Sequence, residues 1–462
     1  MKATLTLVAL ATLALTGCGS LVPSREPSSA VLRDSFRLDA PLVAPGSTEA
    51  ATAWDAFFTE PRLRQVVGLA LQQNRSLRAG AAAVERARAQ YGVAQADRIP
   101  DLDASASANR QRAGGVTTTS YAASLALPRY EIDLFDRLGS LQGAALSRYL
   151  AQQETQAAAQ LSLVAEVSNA WLALAAEQQR LRLSEALRDS QERSLSLTEK
   201  QYALGATSGL VRARSQTAFE AARGEAARSR AAVVQARLQL ELLAGQPLPD
   251  ALLPSADASP TDVTALPAVP AGLPAELLLQ RPDVRAAEQQ LQAAAFDVGA
   301  ARAARFPRIT LTGSLGTRSP ELGDLFKSGT GFWSLLPQID LPLFDGGARA
   351  AQVAVSQASR QQAIANYEAT LQTAFREVAD ALAVRDSLAE RLAAAVAQVD
   401  AAQRSLTVAE ASYRLGGSSQ LELLDAQRQL SSAQQALVTL RQTEQANRVT
   451  LLRALGGRWQ GT

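Results

Sequence analysis

The chain repeats itself. Leu77-Arg78-Ala79 aligns with Val284-Arg285-Ala286 at an offset of 207, and the same offset pairs Pro100 with Pro307 and Ile132-Asp133-Leu134 with Ile339-Asp340-Leu341. Two extra residues precede Phe344-Asp345, the counterpart of Phe135-Asp136. Later the offset is 211, joining Glu166-Val167 to Glu377-Val378, Ser194-Leu195 to Ser405-Leu406, Tyr202-Ala203-Leu204-Gly205 to Tyr413-Arg414-Leu415-Gly416, and Gly245 to Gly456. Chance similarity between Ala/Gln-rich helices does not place Pro, Gly, Phe and Tyr at matching boundaries, so the fold contains one unit built twice. The boundaries read as 61–245 for the first repeat and 276–457 for the second. A connector at 246–275 carries Pro247, Pro249, Pro254, Pro260, Pro267, Pro270 and Pro274, which disfavour both helix and central strand. Residues 458–462 remain as a tail.

Each repeat shows the same order of elements. A first helix is expected from about Pro61 to Arg98 and again from Pro274 to Arg305, with Pro100 and Pro307 closing the two stretches. Two alternating segments come next. Leu102 to Asn109 and Tyr121 to Leu127 flank Gly114-Gly115. Arg308 to Leu315 and Trp333 to Leu341 flank a loop from Thr317 to Thr330. Segments of about ten residues match a tilted strand crossing a membrane; a soluble, half-buried hairpin is the other reading. Then come proline-free stretches from about Gly139 to Leu204 and Gly347 to Leu415, each about 100 Å long if helical. In the second, Phe375, Val378, Leu382, Arg385, Ala389, Leu392, Val396, Val399, Gln403 and Leu406 read as a coiled-coil seam with polar interruptions. Return helices follow the turns Gly205–Gly209 and Gly416–Ser419 and end near Gly245 and Gly456.

The N-terminus reads as an export signal at residues 1–17. Lys2 precedes an apolar Leu5–Leu15 core too short to span a membrane, and Leu15-Thr16-Gly17-Cys18 resembles the lipobox of bacterial lipoproteins. On that reading Cys18 is the lipidated first residue of an extended segment, 18–60; an ordinary signal peptide with an incidental Cys is the alternative. Gly19, rather than Asp, follows the Cys, which in lipoproteins favours sorting to the outer membrane. Beyond residue 18 no run of about 20 apolar residues occurs. Any crossing must then be a closed β-barrel. Four strands cannot close one, since the smallest common membrane barrels have about eight. Several chains would have to share a barrel, and an oligomer joining a short barrel to long helices describes a conduit through the periplasm.

Chemistry is sparse. The chain has no His and a single Cys, which excludes the usual His-dependent nucleophile systems and Cys/His zinc sites. With 46 basic and 44 acidic residues, nothing supports a polyanion or nucleic-acid partner. Asp133, Asp136, Asp340 and Asp345 sit at repeated strand–helix junctions and read as helix caps rather than as a glycosidase pair or metal ligands. Gly346-Gly347 lacks the Lys-Ser/Thr of a phosphate loop. No catalytic residue, metal or cofactor is expected.

Four ordered motifs carry a family resemblance. Trp54-Asp55-Ala56-Phe57-Phe58 runs on through Leu63, Val66-Val67, Ala70-Leu71 and Asn74. Leu277 to Glu288 contains Gln280-Arg281-Pro282-Asp283-Val284-Arg285. Ile339 to Gly347 reads Ile-Asp-Leu-Pro-Leu-Phe-Asp-Gly-Gly. Tyr413-Arg414-Leu415-Gly416 is followed by Leu421, Leu423-Leu424-Asp425-Ala426-Gln427. Together they resemble the TolC-type outer membrane factors, in the NodT-like lipoprotein group, over almost the whole mature chain. The resemblance implies a mainly α fold with a small β part: a duplicated unit, a long antiparallel α-helical barrel and a trimer-shared twelve-stranded transmembrane β-barrel with four strands per chain. It implies a homotrimer, anchored in outer-membrane lipid and reaching into the periplasm, that docks a periplasmic adaptor (membrane fusion) protein and an inner-membrane RND-type transporter. It makes Leu421 and Asp425 a periplasmic gate, and Gly205, Thr207, Ser208, Gly416, Ser418 and Ser419 adaptor-contact turns. The bland alternatives are a helix-packing Leu with a solvated Asp, and glycines serving only chain reversal. The function implied is the outer-membrane channel of a tripartite efflux pump; the alternatives are the duct of a type I protein secretion system or a structural or adaptor coiled-coil lipoprotein.

Overall fold

The computed structural model describes residues 21–24, 57–255 and 275–457. Cys18, the signal segment, Pro274 and the tail at 458–462 lie outside the described residues. The elements, in chain order, are α1 (Pro61–Gln73), α2 (Arg75–Ala96), β1 (Asp103–Ala113), β2 (Val116–Ile132), α3 (Arg137–Ala203), α4 (Gly209–Ala244), α5 (Pro282–Ala303), β3 (Arg308–Ser319), β4 (Gly331–Asp340), α6 (Ala348–Arg414) and α7 (Gln420–Ala454). Helix, hairpin, long helix and return helix thus occur twice. Contacts group the chain into two compact units, one drawn from 1–30, 82–155 and 283–370, the other from 31–81, 156–282 and 371–462. α3 and α6, 67 residues each, contribute to both.

The first unit holds a four-stranded antiparallel sheet in the order β1-β2-β3-β4. β1 and β2 close over Gly114-Gly115, whose φ values of 60° and 86° both lie in the left-handed region that a two-residue hairpin needs. The central pairing joins the repeats, from Tyr121↔Ser319 to Ile132↔Ile309, and breaks register between Leu127 and Tyr130. Pro128 sits in that break, where no ladder donor is required. β2 has 17 residues, longer than the alternation suggested, because it extends past the bulge to Ile132. β1 is exposed along its whole length, and β4 at every residue but Phe332. The central strands β2 and β3 are mostly partly covered.

Two strand–helix junctions carry the expected caps. Asp133 accepts from the Arg137 and Gly139 N–H groups (2.7 and 2.8 Å), and Asp345 from those of Gly347 and Arg349 (3.0 and 3.2 Å). The Arg349 backbone N–H bond holds the Asp345 carboxyl below its usual range, with that of Gly347 adding to it. The other two aspartates differ from expectation. Asp340 accepts from Gln338 within β4, and Asp136 takes a positive φ of 56°, a conformation Asp tolerates better than most residues.

The second unit contains the main core. Phe57, Phe58, Leu63, Val66, Val67 and Ala70 meet Val164, Val167, Trp171 and Leu174 of α3, Leu240 of α4, and Val449 and Leu452 of α7. The expected single helix from Pro61 to Arg98 is broken at Asn74. Its Oδ1 accepts from Leu77 N (3.1 Å) as an N-cap, while its Nδ2 donates to Leu243 O (2.9 Å). The second first-helix begins at Pro282, not near Pro274; a 3₁₀ turn, Ala275–Gln280, precedes it. Pro282 lacks the N–H that a first-turn position leaves free anyway. The α6 seam is also shifted. Beyond Leu388 the less exposed positions are Leu392, Ala395, Val399, Ala402 and Leu406, whereas Ala389, Val396 and Gln403 are exposed. The Arg385-to-Ala389 step in the expected pattern put three positions on the wrong side of the stripe.

Candidate functional site

Two helical turns of the second unit are built alike. After α3, Gly205 adopts φ +72° and Ala206 N donates to Gln201 O (2.8 Å); after α6, Gly416 adopts φ +77° and Gly417 N donates to Ser412 O (2.8 Å). Both are left-handed helix terminations that satisfy carbonyls of the last turn. The next helices start on serine caps. Ser208 Oγ accepts from Val211 N (3.3 Å). Ser419 Oγ accepts from Glu422 N (3.3 Å), and Glu422 accepts in return from Ser419 N (2.7 Å), a complete capping box. Ser418 Oγ donates to Ala409 O (3.4 Å), and Thr207 is half-buried. The turn residues other than Thr207 therefore each have a local structural role.

Leu421 and Asp425 follow on one side of α7, four residues apart. Leu421 is 49% exposed. It lines a groove of ≈ 640 Å³ with Leu187 of α3, Leu210 and Arg214 of α4, and Leu424 and Arg428 of α7. Leu210 and Arg214 are the counterparts, in the first repeat, of Leu421 and Asp425. The groove thus gathers the two corresponding leucines together with Arg214, while Asp425 is not part of its lining. Asp425 is not a bare carboxylate. It accepts from Arg428 Nη2 (2.9 Å) and Gln429 Nε2 (2.6 Å). Sequence reading passed over both partners, although their i+3 and i+4 spacing was available. A ring of such groups would pair each negative charge with a positive one, so its field is weaker than one from carboxylates alone.

A second cluster was also overlooked. Arg281, 5% exposed, donates to Ala454 O (2.8 Å) at the end of α7 and to Glu377 of α6 (2.8 Å), which also pairs with Arg453 (3.2 Å). One guanidinium thereby ties the segment before α5 to two helices. Among the described residues no group of His, Cys, Asp and Glu side chains could hold a metal ion, and no helix is long and apolar enough to cross a membrane.

Known proteins share this architecture. The model of the family described as "Outer membrane efflux protein" matches residues 66–246 and 273–457. The chain is 41% identical over 451 residues to outer membrane protein OprJ of Pseudomonas aeruginosa, covering 96% of this chain and 94% of that protein. It is 36% identical to the probable outer membrane lipoprotein SilC of Salmonella typhimurium, covering 96% of each. A crystal structure of the open state of the Neisseria gonorrhoeae MtrE outer membrane channel superposes with a TM-score of 0.85 at 34% identity, covering 95% of this chain and 98% of that one.

Proposed function

We propose that this chain, which belongs to the outer membrane efflux protein family, works as a homotrimer whose three four-stranded sheets close one barrel. Its role is that of an outer-membrane channel component of an efflux pump, as for its relatives. OprJ and SilC are named as outer-membrane proteins, and the family as efflux proteins. The observation that carries the trimer is the open sheet. β1 and β4 each have one unpaired edge among the described residues, and strands of 10 to 17 residues are long enough to span. Unpaired edges in lipid are costly, and pairing β4 of one copy with β1 of the next removes them. Three copies give twelve strands.

The rest of the proposal concerns partners and gating. Cys18 carries the lipid anchor. The turns at Gly205, Thr207, Ser208, Gly416, Ser418 and Ser419 meet the helical hairpins of a periplasmic adaptor, which couples the channel to an inner-membrane RND-type transporter. Leu421 and Asp425 narrow the periplasmic end until that contact opens it. A type I protein duct would share this architecture; the efflux relatives favour the pump. The test is migration of outer-membrane fractions on electrophoresis. A trimer that collapses to monomer on heating is expected, together with ion conductance in lipid bilayers. A monomer confined to the soluble periplasmic fraction overturns the proposal.

Lysine content allows a topology test. Only Lys2, Lys200 and Lys327 occur. Lys327 lies between β3 and β4 and is well exposed, while Lys200 lies in the last turn of α3, near the candidate gate. An amine reagent that cannot cross the outer membrane is expected to modify Lys327 in intact cells and Lys200 only after permeabilisation. Modification of Lys200 alone in intact cells would reverse the assigned orientation.

A further inference from the structure

Three helices of the second unit meet in a buried polar seam with a seven-residue repeat. On α3 the positions are Ser184, Gln191 and Thr198, at 1%, 3% and 1% exposure; on α4 they are Ser215, Ala222 and Ser229; on α7 they are Gln420 and Gln427. The layers are bonded across helices. Gln420 Nε2 donates to Thr198 Oγ1 (3.0 Å) and to Ser215 Oγ, and those two hydroxyls lie 3.2 Å apart. Seven residues along, Gln191 Nε2 donates to Gln427 Oε1 (2.8 Å), and Gln427 Nε2 to Ser190 Oγ (3.3 Å). Ala222 is the small residue at the matching α4 position. One layer further, Ser184 Oγ donates to Ser229 Oγ (3.0 Å).

Such layers select register more than they add stability. A buried hydrogen bond nets about 1 kcal/mol, less than the ~2 kcal/mol of a buried Leu, yet leaving its partners unpaired is expensive. The Oε1 atoms of Gln191 and Gln420 face no donor among the described residues, so the present register does not satisfy the seam fully. Surface grooves flank this stretch of α7, one shared with α3 and α4 and another lined by Gln398, Ala402 and Ser405 of α6 and by Arg428, Gln429 and Ser432 of α7.

We propose that Gln420 and Gln427 are positioning residues that set the rotation of the first turns of α7, and through it the direction in which Leu421 and Asp425 face. Residues 420, 424, 427 and 431 lie on the buried face of α7, and 421, 425 and 428 lie at its border, one residue or about 100° around the helix. A change of partner in the seam therefore turns the candidate gate. The inference rests on reading Leu421 and Asp425 as that gate.

Two full-length double variants test it in lipid bilayers. Gln420→Leu/Gln427→Leu keeps the side-chain size, leaves the Thr198 and Ser215 hydroxyls bonded to each other and only Gln191 without its partner, and is expected to lower the opening frequency at least about tenfold without changing the conductance of the open channel. Gln420→Ala/Gln427→Ala removes the interlock and is expected to raise the opening frequency. Spin labels at Glu192→Cys and Ser432→Cys, on exposed faces of α3 and α7, report the seam directly: the Leu pair should narrow the distance distribution and the Ala pair broaden it. Unchanged opening and distances, or both pairs shifting alike, overturn the proposal. If Leu421→Ala/Asp425→Ala leaves the current unaltered while the label distances still respond to the glutamine variants, the gate reading fails and the positioning role of the seam stands.

Discussion

Arg281→Met is expected to destabilise the second unit by about 2 kcal/mol, the loss of a buried guanidinium's charge-assisted hydrogen bonds. The side chain of Arg281 is 6% exposed and that of Glu377 27%, so solvent screens the pair only weakly. The substitution keeps the length and apolar stem, so lost packing contributes little. It takes the guanidinium donor away from Ala454 O and leaves Glu377 paired with Arg453. Thermal unfolding of the purified channel, followed by helical circular dichroism, measures the loss. Arg453→Met removes the more exposed member of the cluster and should have a smaller effect. A reversed order of the two variants, or a loss under about 1 kcal/mol for Arg281→Met, would show that the cluster is ordinary surface pairing.

Leu421→Ala/Asp425→Ala is expected to increase channel current sharply. With half of Leu421 still exposed in one chain, closing three copies around an axis buries roughly another 1 kcal/mol of apolar surface per copy. Three copies amount to about 3 kcal/mol, roughly a hundredfold in the ratio of closed to open channels. Loss of Asp425 also frees Arg428, so selectivity should move toward anions. Single-channel recording and drug susceptibility of cells carrying the variant are the readouts. Unaltered current and susceptibility would assign Leu421 to helix packing and Asp425 to a surface pair with Arg428.

Much of this architecture was legible because its signals are local. Gly114-Gly115 announces a hairpin through backbone freedom that few other residues have, and the absence of Pro from 139 to 204 leaves nothing to end a helix. What escaped depends on partners far away in sequence. Asn74 breaks a helix with no Pro or Gly beside it, because Leu243 O takes its amide. Arg281 looks like one basic residue among many until Ala454 and Glu377 surround it. The α6 stripe slipped because Ala is compatible with either face. The candidate gate was found through resemblance alone; its Arg428 and Gln429 partners, and the glutamine seam behind it, needed coordinates.

The strand order also sets a timetable for folding. β1 and β2 can pair across a two-residue turn as soon as they are made, and β3 can meet β4 over a short loop. The middle pairing joins Tyr121 to Ser319, across roughly 200 intervening residues. Closing so long a loop brings little reward until the helices between have formed, so the two hairpins must wait as separate pieces with bare edges. During that wait the β2 and β3 edges are open to wrong partners, including those of other copies. A protein whose finished barrel depends on pairing between chains is therefore most exposed to mispairing before its own two halves have met.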